Sequence, residues 1–159
     1  TAQQARDSVA AVRYPPKGTR GVGLARAQGY GKNFKEYVAW ATNNPVIVVQ
    51  IEHIEAVRNI DEILAVEGID AIIIGPYDLS GSLNKPGQFK DKEVVEAMAK
   101  VRKTTAAKGI PPGIHVVSAD EKLLKERIKE GYTFIAYGVD FLFIQEVASN
   151  GLAFARGKK

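Results

Sequence analysis

The chain has no cysteine among its 159 residues. Disulfides, thiolate metal sites and a cysteine nucleophile are therefore excluded. That absence is compatible with a reducing cytoplasm, which is the expected location. No apolar run approaches the roughly 20 residues of a membrane span. No signal-peptide pattern opens the chain, so no membrane partner is expected. A dinucleotide fingerprint is also missing, because the GVG at 21–23 follows no strand and GxGxxG is not completed. The net charge is +4, with Lys and Arg concentrated in the first third and in the terminal ARGKK. No basic face interleaved with aromatics accompanies it, so no nucleic-acid partner is expected. A solvated surface and a loop that meets anions account for the excess.

What remains is ordinary for a globular protein: 45% hydrophobic and 25% charged residues, enough for one domain with a real core. The stretch Val46 to Ser80 organises the rest. Val46–Glu52 is almost continuously apolar and β-branched, as in a parallel strand covered on both faces. Ala56, Val57, Ile60, Ile63 and Leu64 follow at helical spacing, and Gly68 stops them. Ala71–Ile74 is the second strand and runs into GPYDLS. Further strands are expected at Pro112–Val117 and Tyr132–Val139. Helices are expected at Thr1–Val12, Phe34–Asn43 and Lys92–Lys108, after Ser118 as a cap, and from Asp140 to a break at Asn150-Gly151. LAFARGKK then extends or frays. Four strands alternating with helices imply a parallel sheet, either open and doubly wound or half of a (β/α)8 barrel, since a whole barrel takes about 250 residues.

Side chains alternate across a strand, so Gln50 and Glu52 share one face. With the first two strands adjacent, their carboxyl ends lie roughly 5 Å apart and bring Glu52 and Asp78 to one rim. Two like charges at close range repel unless a cation or proton lies between them. The pair either holds a hard divalent ion or consists of separately solvated carboxylates, with Asp78 capping a turn. His115 shares a face with Gly113 and Val117, which looks either into the site or under a helix. His53 faces away from Glu52 and reads as structural. Arg20 and Arg26, in the long loop Arg13–Asn33, are candidates for an anionic substrate or a neighbouring subunit. Trp40 fills an interface or the back of the core.

RYPPKGTRGVG, VQIE, NIDEILAVEGIDAIIIGPYDLSGSL, the glycine-led strand and YGVD follow one another in this order. Together they resemble the metal-dependent 2-oxo-acid aldolases of the dihydroxyheptenedioate (HpcH/HpaI) type, grouped with citrate lyase beta-like proteins. The resemblance implies a (β/α)8 TIM barrel, with residues 1–159 as the carboxyl-terminal portion of one aldolase domain, about strands five to eight. It implies reversible retro-aldol cleavage of 4-hydroxy-2-oxo acids to pyruvate and an aldehyde, in aromatic compound catabolism. Glu52 and Asp78 match ligands to Mg2+, Mn2+ or Co2+. Gln50, Tyr77, Asp78 and His115 match substrate-binding positions. Asn84 stands in place of a common glycine. The family's base His, its carboxylate partner and its Arg match nothing here, so no catalytic base is identified, and a homo-oligomer or completion by an amino-terminal half-barrel is expected. The rivals are a CoA-ester lyase of the wider superfamily and a non-catalytic barrel subunit.

Overall fold

The computed structural model describes residues 1–157; Lys158 and Lys159, the end of the expected tail, lie outside the described residues. Helix α1 (Ala2–Val12) opens with the expected cap, as Thr1 Oγ1 accepts the Gln4 amide and the Gln4 side chain closes a capping box. A loop with one 3-10 turn at Arg26–Gln28 leads to α2 (Phe34–Asn43). Then come β1 (Val48–Ile51), α3 (Ile54–Arg58), α4 (Ile60–Ile63), β2 (Ala71–Ile74), α5 (Pro76–Ser82) and α6 (Lys92–Ala107). The chain finishes with β3 (Pro112–Val116), α7 (Glu121–Glu130), β4 (Phe134–Tyr137) and α8 (Asp140–Ala155).

The sheet is parallel throughout and ordered β1-β2-β3-β4. A doubly wound sheet reverses its order at a switch point; this one grows in one direction. Right-handed crossovers then place every connecting helix on the same face. That face holds the core: Ile51, Ile72, Ile74, Ile114 and Val116 are at most 2% exposed and pack with Val57, Ile60, Val94 and Val101. Each such side chain contributes roughly 1.5–3 kcal/mol by leaving water. The opposite face is bare. Val46 is 78% and Phe134 40% exposed there.

Several boundaries differ from the sequence reading. The first strand is shorter, because Asp70 replaces regular pairing at its start: its carboxylate accepts the Ile47 amide at 2.7 Å. The crossover is two short helices joined at Asn59 rather than one. GPYDLS, into which the second strand runs, carries a short helix. Proline at its first turn fixes φ without wasting an amide hydrogen. The cap of α7 is Asp120, not Ser118; it accepts from the Lys122 and Leu123 amides. Ile128, on the apolar side of that helix, is exposed; Trp40 is exposed as well, away from the core, with its ring 6.1 Å from that of Tyr37 at a tilt of 35°. Helix α8 runs through Asn150-Gly151 without a break.

Candidate functional site

Gln50 and Glu52 lie on the bare face at the carboxyl end of β1. The register pairs Gln50 with Ile73 and Ile51 with Ile74. One residue further, Glu52 comes opposite Gly75, whose amide donates to the Ile51 carbonyl at 3.3 Å. Gly75 has no side chain, and the space is used. A Cβ there would stand 2.9 Å from Glu52 Oε2 and 3.0 Å from Gln50 Nε2. Within that space Gln50 Nε2 donates to Glu52 Oε2 at 2.5 Å. The bond fixes one carboxylate oxygen and leaves Oε1 for another partner.

Gly75 is also the residue from which α5 starts, and Asp78 sits in the first turn of that helix, exposed to solvent. The structure thus brings Gln50, Glu52 and Gly75 into contact and sets Asp78 on the adjoining turn. The donor set is two carboxylates and an amide, Gln50 and Glu52 at the end of β1 and Asp78 on the first turn of α5. It suits a hard divalent ion that keeps water or substrate oxygens in its remaining positions. No group of three or more His, Cys, Asp or Glu side chains gathers among the described residues.

The register also decides the side of His115. Ile74 pairs with Ile114, so Gly75 lies beside His115 in the row that begins at Glu52. Ile114 and Val116 point into the core at 1% exposure, which puts His115 on the bare face with Gln50 and Glu52. Tyr77 is exposed to solvent. Its ring meets Phe89 edge-on at a centroid distance of 6.4 Å and lies against Gly87. His53 is structural, as read: Nδ1 accepts the Glu55 amide at 3.2 Å and caps α3. Arg20 is taken up by two tyrosines, one in its own loop and one on α2. Its guanidinium stands 4.6 Å above the Tyr14 ring and bonds Tyr37 Oη at 3.2 Å, which raises its already high pKa. Asn84 takes φ +59, a left-handed conformation that asparagine reaches more easily than most residues, so it fills a turn suited to glycine. Gly75 was missed by the sequence reading. Its signal was a glycine directly after a buried strand, where a close approach is expected.

Comparison with known proteins gives this geometry its context. The profile of the HpcH/HpaI aldolase/citrate lyase family matches residues 1–145. The chain is 40% identical over 149 residues to a hydroxypyruvate/pyruvate aldolase of Deinococcus radiodurans, covering 93% of this chain and 53% of that one. It is 39% identical over 149 residues to a 4-hydroxy-2-oxo-heptane-1,7-dioate aldolase of Escherichia coli, covering 92% and 56%. The chain therefore spans about half the length of these curated relatives. A crystal structure of an HpcH/HpaI aldolase/citrate lyase family protein from Burkholderia cenocepacia superposes with a TM-score of 0.89 at 28% identity, covering 98% of this chain and 62% of that one. One-directional parallel sheet, carboxylates at the strand ends and a match over most of the sequence agree: the chain belongs to the HpcH/HpaI aldolase/citrate lyase family.

Proposed function

We propose that this chain supplies strands five to eight of a (β/α)8 barrel that cleaves 4-hydroxy-2-oxo acids to pyruvate and an aldehyde. The observation that carries the reading is the Gln50–Glu52 pair seated in the space left by Gly75, one helical turn from Asp78. Glu52 and Asp78 hold a divalent ion, Mg2+, Mn2+ or Co2+. When bound, such an ion stabilises the negative charge that develops on the 2-oxo group. Gln50 has a second amide hydrogen free to orient the acid, and the amides opening α5 face its carboxylate. The proton of the 4-hydroxyl leaves to a base supplied by the rest of the barrel. A CoA ester would need cations for its phosphates, and Arg20 of the basic loop is engaged with Tyr14 and Tyr37.

The bare sheet face supports completion by an amino-terminal half-barrel, since water-exposed Val46 and Phe134 would there become interior. Helix α8 supports a homo-oligomer: it exposes Phe141, Ile144, Val147, Leu152 and Phe154, an apolar stripe of the kind a helix buries against a partner. The metal site is tested by titrating Mn2+ into the wild type and into Glu52→Gln with Asp78→Asn. Affinity is expected to fall tenfold or more; equal affinity ends the reading. Gln50→Ala is expected to weaken pyruvate binding more than Mn2+ binding.

A further inference from the structure

Two hydrogen bonds close a ring around the pair of carboxylates. Ile51 and Ile54 flank Glu52 in the chain, and Gly75 and Ser82 flank Asp78. The Gly75 amide donates to the Ile51 carbonyl at 3.3 Å, and the Ile54 amide donates to Ser82 Oγ at 2.9 Å. Segments 51–54 and 75–82 are thus joined at both ends, with one carboxylate on each. The first bond runs between backbones and is long for an N–H···O contact. The second is shorter and depends on a single side chain.

The Ser82 hydroxyl is set for that role. It donates its proton to the Leu79 carbonyl at 2.7 Å, which leaves a lone pair for the Ile54 amide. Ile54 opens α3, so its amide has no partner within that helix. Ser80 makes the same two kinds of bond in another direction. It donates to the Tyr77 carbonyl at 2.6 Å and accepts the Gly87 amide at 2.9 Å, which ties α5 to the loop that follows it. Ser82 instead ties α5 to the segment that carries Glu52.

The tie matters because α5 has seven residues, fewer than the roughly 12 a helix needs to persist by itself. Leu79 is wholly buried and anchors the helix to the core. Apolar burial is non-directional, however, whereas a hydrogen bond fixes an angle as well as a distance. A swing of α5 about Leu79 would move Asp78, its neighbour in the chain, relative to Glu52.

We propose that Ser82 is a positioning residue, whose hydroxyl sets Glu52 and Asp78 in register with each other. The proposal rests on the reading of that pair as the metal ligands. Mn2+ is titrated into the full 159-residue chain and its variants, with free Mn2+ read by electron paramagnetic resonance. Ser82→Ala is expected to weaken Mn2+ binding at least fivefold, and Ser82→Thr, which keeps the hydroxyl, to stay within twofold of the wild type. Asp120→Ala, which removes the cap of α7, is the control for lost stability: its Tm falls and its Mn2+ affinity does not. In a Glu52→Gln background Ser82→Ala is expected to have no further effect, since one remaining carboxylate needs no alignment. If Ser82→Ala does not fold, Ser82→Cys takes its place, being close in shape and a weak acceptor. Wild-type affinity in Ser82→Ala overturns the proposal. So does a Ser82→Thr as weak as Ser82→Ala, or an equal loss in the Glu52→Gln background. If the wild type binds no Mn2+, the metal reading has failed, and hydrogen exchange reads the tie alone. Protection of the Ile54 and Leu79 amides that Ser82→Ala loses and Ser82→Thr keeps supports the positioning role, and an unprotected Ile54 amide in the wild type refutes it.

Discussion

A single missing side chain shapes the candidate site. Gly75 is buried at the end of β2, and the tips of Glu52 and Gln50 occupy the volume a methyl group would take. Those tips are the mobile ends of flexible chains, so Gly75→Ala would displace them rather than wreck the core. The expected cost to folding is about 1 kcal/mol or less, while Mn2+ affinity falls several-fold as the Glu52 carboxylate is pushed aside. Thermal melting and metal titration on the same variant separate these effects. A lower Tm with unchanged Mn2+ affinity would show that Gly75 serves packing alone. The other residues singled out divide cleanly. His53 and Arg20 are committed to local structure, a helix cap and an aromatic clamp, whereas His115 remains on the open face.

Elements depend on small polar ties at their ends. The loop between α5 and α6, which carries Phe89, is held by Lys85 Nζ, 2.8 Å from Asp91 and 2.7 Å from Glu93. Asp91 also caps α6 by accepting the Glu93 amide. Its bond to Lys85 holds the Asp91 carboxyl below the ordinary carboxylate value. The folded-state pKa is thus depressed. The resulting stabilisation is present above the unfolded value near 3.8 and is lost as the pH falls through the folded one. The protection of the amides across residues 84–91, measured against their intrinsic exchange rate at each pH, is expected to fall below about pH 4 in the wild type. In Lys85→Met it should be low already at neutral pH, with a shallower acid dependence. Identical exchange profiles in the two proteins would show that the ion pair does not order this loop.

At the scale of the molecule, the two faces of the sheet have opposite fates. One is closed by helices, with Ile72, Ile74, Val94 and Val101 wholly buried; the other leaves Val46 and Phe134 in water. Helix α8 adds a second apolar surface, Ile144 being 70% and Val147 74% exposed. Association of the purified chain is expected, and sedimentation velocity measures it. Ile144→Glu with Val147→Glu should shift the distribution to smaller species while leaving the melting of the sheet unchanged, because neither residue touches the core. Unaltered sedimentation would move the interface away from α8.

The order and kind of the major elements were legible in the residues themselves. The β-branched run ending in Gln50 and Glu52, the apolar spacing after it and the stop glycines depend on nearest neighbours and on period, which a sequence displays directly. So did the same-face relation of Gln50 and Glu52, which follows from alternation within one strand. The short helix that presents Asp78 was not legible, because GPYDLS is compatible with a turn as well as with a helix. The side on which His115 falls was not legible either. It depends on pairing between strands some forty residues apart, and a shift of one residue in that register would bury it. Local chemistry determined the carboxylates and their strand; only the docking of β2 between β1 and β3 decided that Glu52, Gly75 and His115 share one row, because their adjacency is a property of the register and not of the chain.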